Sequence, residues 1–286
     1  MINRSSILIN SCDKYSDIWE PFFYLFKKMW NGVYPNIYLN SEYKKYEDAD
    51  IPIINLNKGN KLEWGGRLLE CLKDIETPYV LMMLEDFFYE KPINVKIVEQ
   101  CVDYLDANPD IMAFQFVPSG EVLEENYLEN EDFPKFIRRK KFGMFTVIAG
   151  PTLWRKKDLV NITCPKDTPW AWEYFGSIRT WFYGKKIYSW KSMGDCIFKY
   201  DLEHGGAVHR GKWVGYKTRE IENKFGFSID YGDREIEYDW MKSHDFNQIP
   251  PFYKRIKSII NNRMKMIKEL IYGFYLRITN GIRVNE

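Results

Sequence analysis

The sequence predicts an α/β fold: a mixed, mainly parallel sheet flanked by helices, followed by a helical C-terminal tail. Three observations predict it. Strand-like apolar runs alternate with segments of helical spacing through the first 118 residues. Tyr79-Val-Leu-Met-Met-Leu84 is an uninterrupted apolar run of strand length, which requires cover on both faces, as in parallel sheets. Beyond Pro250-Pro251 the composition shifts to Lys and Arg interleaved with Ile, Met, Leu, Phe and Tyr.

The elements follow in order. Ser6 to Asp13 reads as a buried first strand ending in polar residues, and Ile18 to Trp30 as a helix. Tyr34 to Asn40 and Ile51 to Leu56 are the next strands, and Trp64 to Ile75 is a helix with apolar Leu68, Leu69 and Leu72. Thr77-Pro78 punctuates the chain before the apolar strand. A helix over 94–108 and a strand over 111–117 follow, and then the acidic stretch 121–132 reads as an exposed loop. Phe145 to Trp154 reads as strand and turn, 156–160 as a short helix, and Trp170 to Phe175 as the opening of another. This divides the chain into a catalytic domain over 1–249, with a donor half to about 118 and an acceptor half from 119, and a basic amphipathic tail over 250–286.

Composition narrows the classes. Hydrophobic residues at 45% argue against wholesale disorder, and a net charge of +1 gives no reason to expect a nucleic-acid partner. Five scattered cysteines contain no CxxC pair, so neither a disulfide framework nor a zinc site is expected, and a reducing cytoplasm fits. The N-terminal stretch has no signal-peptide pattern. G-x-G-x-x-G, P-loop, G-x-S-x-G and HExxH patterns are absent from the sequence.

Glu85-Asp86 follows the apolar strand directly, at the end where ligands bind in open α/β sheets. Two carboxylates there need a cation, hydroxyl or backbone donor to answer them, and a metal-bridged diphosphate meets that need; capping of the next turn is the plainer alternative. Together with the first strand and helix and with Trp64-Gly-Gly-Arg67, this Tyr-Val-Leu-Met-Met-Leu-Glu-Asp-Phe segment resembles the GT-A (Rossmann-like) glycosyltransferases over roughly residues 5–215. Their acidic DxD-type motif ends such a strand; here Leu84 stands where the first acid would be. The resemblance implies a nucleotide-sugar donor, with Glu85 on the ribose and Asp86 on Mn²⁺ or Mg²⁺. It also implies Asp13 near the nucleobase and Arg67 facing the donor, although Arg67 also reads as a surface helix residue.

Trp170-Ala-Trp-Glu173 sets a carboxylate among aromatic rings, where poor solvation raises its pKa towards the range of a general base. In the resemblance this acid is the base of an inverting transfer, with Asp167 as the second candidate. Trp154, Trp170 and Trp172 offer flat apolar faces to an acceptor sugar. His204 and His209 flank glycines and precede Arg210 and Lys212; the segment reads as a mobile loop, with His209 on the metal or phosphate and the two cations on the diphosphate. The tail suits an interfacial helix on anionic lipid, or a helix packed on its own domain or a second subunit. The expected activity is transfer of a hexose or N-acetylhexosamine from a UDP-type donor to a surface glycan or lipid-linked acceptor, as in capsule or O-antigen assembly. A glycosidase using Asp86 and Glu173, or a noncatalytic carbohydrate-binding protein, are the alternatives.

Overall fold

A computed structural model describes residues 4–118, 122–130, 133–192, 194–201, 206–238 and 252–279, with the backbone alone described at 122–130, 133–135 and 252–262. A nine-stranded sheet forms its centre: β1 Ser5–Asn10, β2 Ile37–Ser41, β3 Ile53–Asn57, β4 Tyr79–Met83, β5 Ile111–Gln115, β6 Val122–Asn130, β7 Phe133–Arg139, β8 Thr152–Arg155 and β9 Lys186–Trp190. Their order is β3-β2-β1-β4-β8-β5-β9-β7-β6. Within it β8 and β7 run against both of their neighbours, and the other strands share one direction. The predicted mixed, mainly parallel sheet is what forms.

Alternation along the strands builds two apolar layers. Ile7 and Ile9 of β1 with Leu81 and Met83 of β4 face α1 (Trp19–Met29) and α3 (Val95–Ala107), where Phe22, Phe26, Val98 and Val102 are buried. Leu8, Val80 and Met82 point the other way, onto α2 (Trp64–Asp74), α4 (Lys156–Ile162) and α5 (Pro169–Tyr183). Helix α5 has strong end signals: the Thr168 side chain accepts the Ala171 N–H at 3.3 Å, Pro169 opens the first turn, and Gly184 closes the helix at φ 87°. A three-stranded sheet of β10 (Val208–His209), β11 (Lys212–Val214) and β12 (Ile236–Glu237) lies beyond, with α6 (Gly215–Phe225) following β11.

Two expectations differ. Residues 122–130, read as a loop, form the edge strand β6, whose single partner is β7; an edge position tolerates acidic residues that a central strand would not. Of residues 203–212, read as a mobile loop, 208–212 belong to a tight hairpin in which His209 pairs with Lys212, while 203–205 lie outside the described residues. Arg210 and Gly211 at its tip both have positive φ, 49° and 82°, which suits the twist of a two-residue turn.

The tail forms α7 (Phe252–Thr279) and packs against α5. Gly273 makes this possible, because a Cβ there would lie 2.3 Å from the Arg179 carbonyl oxygen. No helix among the described residues is long and apolar enough to cross a membrane. The Gly-Gly pair at the start of α2 has a similar reason. A Cβ on Gly65 would lie 2.2 Å from the Cys164 carbonyl oxygen, while the Gly65 N–H donates to the Asp167 carbonyl at 2.8 Å. Gly65→Ala is therefore expected to destabilise the protein by about 1–3 kcal/mol in denaturant unfolding despite alanine's better helix propensity. An unchanged midpoint would show that the 164–167 loop yields freely.

Candidate active site

Strands β1 and β4 are parallel neighbours in the register Ile9 opposite Met83, so Ser11-Cys12-Asp13 and Leu84-Glu85-Asp86 leave the sheet side by side at its carboxyl edge. Glu85 is only 4% exposed. The Ser11 hydroxyl, which accepts the Trp19 indole N–H at 2.7 Å, helps to lower the Glu85 pKa against burial. Asp86 is half-buried; its backbone carbonyl accepts the Ala207 N–H at 2.7 Å, and among the described residues its Oδ1 is enclosed with no hydrogen-bond partner. Burial, and for Glu85 the charge of Asp86, hold both carboxyls well above their ordinary range, opposed in part by the Arg234 cation. Gly206, at φ 106°, is required where the chain passes Asp86, since a Cβ would stand 2.6 Å from its carbonyl oxygen.

Arg234 is fixed on several sides. Its Nε and one Nη donate to Asp17 at 2.7 and 2.8 Å, it also donates to the Lys14 carbonyl at 2.8 Å and the Gly211 carbonyl at 3.0 Å, and it lies 4.6 Å over the Tyr15 ring. It thus ties the segment after β1 to the β10–β11 hairpin. Between these two segments opens a cleft of about 530 Å³, whose lining carries the five cations Lys14, Lys44, Arg210, Lys212 and Arg234 against the four carboxylates Asp13, Asp17, Asp233 and Glu235. Asp13 accepts backbone N–H groups of Glu42, Tyr43 and Lys44 at 3.0–3.1 Å, while Asp17 and Glu235 pair with the cleft's own Arg234 and Lys212, at 2.7 and 2.6 Å. Five cations against four carboxylates leave the lining one positive charge in excess, which suits an anionic ligand.

Glu173 lies in the first turns of α5, one turn on from Trp170, which is 78% exposed. Its Oε1 accepts the Ala149 N–H at 2.8 Å, and burial raises its pKa against that bond. Tyr200 joins the two acidic positions. It is buried, stacks on Phe87 at 4.2 Å, feels the charges of both Asp86 and Glu173, and its hydroxyl lies 3.6 Å from where a Cβ on Gly150 would be.

The structure thus gathers Asp13, Arg210 and Lys212 around one cleft, and sets His209 two residues beyond the Ala207 that binds Asp86. Arg67 is not a surface residue: it is 7% exposed, paired with Glu42, and donates to the Ser11 carbonyl at 3.3 Å, beneath the same edge of the sheet. Three expectations are corrected. Trp154 and Trp172 are fully buried, in contact with one another and, for Trp172, with Trp64, so neither can meet an acceptor; of the three tryptophans Trp170 remains. Asp167 is buried with both oxygens accepting from Arg179 at 2.6 and 3.0 Å and one from the Cys164 N–H at 2.9 Å, which leaves it a structural ion pair rather than a base. His204 lies outside the described residues. Arg234, Tyr15 and Tyr200 were not singled out by the sequence: Arg234 follows the last clear periodic segment, and nothing marks two tyrosines among 20.

No protein-family model and no curated protein matches the chain. Solved structures do. Staphylococcus aureus TarS 1-349 superposes with a TM-score of 0.50 at 10% identity, over 97% of this chain and 88% of that one. The same TarS 1-349 in complex with UDP gives 0.48 at 11% identity over the same shares. A longer TarS structure gives 0.41 at 11% identity over 66% of this chain, which spans 37% of its length. The likeness to TarS 1-349 shows the fold, a GT-A-like α/β domain.

Proposed function

We propose that the chain is a glycosyltransferase that moves a sugar from a nucleotide-sugar donor, of UDP type, to a glycan or lipid-linked acceptor in cell-surface polysaccharide synthesis. One observation carries this reading: the acidic pair Glu85-Asp86, with the unanswered oxygen Asp86 Oδ1, stands beside a cleft lined by five cations and four carboxylates. TarS 1-349 has also been solved in complex with UDP-GlcNAc, a donor of this class.

In this reading the diphosphate lies between the hairpin cations Arg210 and Lys212 and the Asp86 carboxylate. An enclosed carboxylate oxygen without a partner suits a hard cation. Among the described residues no group of three His, Cys, Asp or Glu side chains is placed to hold a metal, so Mn²⁺ or Mg²⁺ would rest on Asp86 and His209 and depend on donor oxygens for its remaining ligands. When bound, the cation would neutralise charge on the leaving diphosphate. Glu173, kept basic by burial and oriented by the Ala149 N–H, takes the acceptor hydroxyl proton, and the sugar is transferred with inversion. Trp170 offers the acceptor an exposed aromatic face.

Thermal shift tests this directly, because a ligand of the native state raises its apparent stability. UDP-sugars with Mn²⁺ are expected to raise Tm more than GDP- or CMP-sugars, while Mn²⁺ alone produces little shift. Cleavage of an oligosaccharide without any nucleotide would assign the carboxylates to a glycosidase instead. Sugar binding that survives Asp86→Asn, with no nucleotide effect on Tm, would leave a carbohydrate-binding protein.

A further inference from the structure

The two faces of α7 are both apolar, and only one is used. On the inner face Glu269, Gly273 and Leu276 are buried against α5, where Arg179 holds Glu269 at 2.5 Å. Lys265 lies 3.8 Å over the Phe175 ring. On the other side Met264, Ile267, Ile271, Phe274, Tyr275 and Ile278 are between 50% and 65% exposed. At about 100° per residue these six fall within an arc of about 100°, opposite the buried face. A helix needed only to pack on its own domain has no use for this second stripe, and a continuous exposed patch of large apolar side chains marks an interaction surface.

Charge identifies the occupant. Over 263–279 the helix carries Arg263, Lys265, Lys268 and Arg277 against a single acid, Glu269, and that acid is spent on Arg179. The sequence from 252 to 268 adds Lys254, Arg255 and Lys257 and contains no acid. Arg263 and Lys268 stand at the two margins of the stripe, both exposed. Two copies brought together through this face would oppose positive margins, whereas an anionic surface with an apolar interior answers both features. We propose that the outer face of α7 docks the protein on an anionic lipid bilayer, the helix lying in the interfacial plane with Ile271 and Ile278 inserted and Arg263 and Lys268 at the headgroups. Lipid binding is read without sugar or nucleotide, so docking stands or falls independently of the donor site.

Co-sedimentation of the full chain with vesicles tests it. Partition onto vesicles of phosphatidylcholine with about one third phosphatidylglycerol is expected to exceed that onto pure phosphatidylcholine by about tenfold or more, and to fall with salt. The double variant Ile271→Ser/Ile278→Ser alters only exposed side chains and is expected to lower anionic partition by about tenfold, with unchanged Tm. Lys268→Glu is expected to lower it several-fold. Equal binding to neutral and anionic vesicles, or none to either, overturns the proposal. So does a dimer in light scattering that the serine variant converts to monomer, because the stripe would then belong to a second copy.

Discussion

Asp86→Asn is expected to lower donor-dependent turnover by about 10²–10³, the scale at which removing one preorganised electrostatic contact to a developing charge is felt, about 2.7–4 kcal/mol. Burial is the cause. Asp86 Oδ1 has no protein partner among the described residues, so its charge, answered in the free protein only in part by the Arg234 cation, is better stabilised when a ligand supplies a further answering group. The amide cannot supply that charge. Donor affinity in the presence of Mn²⁺ is expected to weaken by less than turnover, because the contact is present in the ground state and strengthens as charge develops on the leaving diphosphate. The unliganded protein behaves in the opposite sense. Burial raises the Glu85 and Asp86 pKa values above their unfolded values of about 4.5 and 3.8, so the native state binds more protons than the unfolded chain across that interval. Stability contributed by the pair is therefore full below the unfolded values and is lost as pH rises through the raised ones. Asp86→Asn and Glu85→Gln should each raise the Tm of the free protein at about pH 8 and change it little at about pH 5. An Asp86→Asn protein with normal turnover, or with lower Tm at both pH values, would make Asp86 a structural residue.

The two halves of the site were legible to different degrees, for a physical reason. Glu85-Asp86 could be read because burial of Tyr79–Met83 on both faces writes itself as an unbroken apolar run, and the polar residues that end it are then conspicuous. Helix α2 could be placed from its periodicity, but not the destination of Arg67: a long side chain leaves the helix at an angle no spacing encodes, and it ends at Ser11 and Glu42, far away in the sequence. The aromatic segment misled in one respect. Trp172 and Trp170 are two residues apart and so lie on different sides of α5, one buried and one exposed, yet a count of aromatics treats them alike. Asp167 was invisible as an ion pair because its partners Arg179 and, through it, Glu269 come from α5 and the tail. The basic tail was read as interfacial, or as packed on its own domain or a second subunit; the structure gives the face packed on its own domain, and the helical spacing of the remaining apolar residues supplies the second.

Glu173→Gln is expected to reduce kcat by about 10²–10⁴ while leaving donor binding by thermal shift unchanged. The substitution is nearly isosteric, and the amide oxygen can still accept the Ala149 N–H, so position and packing are kept and only the proton-accepting charge is lost. Removing a desolvated carboxylate should not lower stability, and Tm is expected to hold or rise slightly. The pH profile adds a readout that a structural role would not move. Burial raises the Glu173 pKa above its ordinary 4.5, and a base must be ionised to act, so kcat in the wild type should climb with pH along an acidic limb displaced upward from the usual carboxylate range. In Glu173→Gln that limb should vanish from the residual rate. Trp170→Ala separates acceptor contact from chemistry: it should raise the acceptor KM while affecting kcat less, because the ring is exposed and contributes a face rather than a proton. If Glu173→Gln weakened the donor instead, with the acidic limb intact, the carboxylate would be a donor contact and the proton acceptor would lie elsewhere on the acceptor side, which would also remove the reason for assigning inversion.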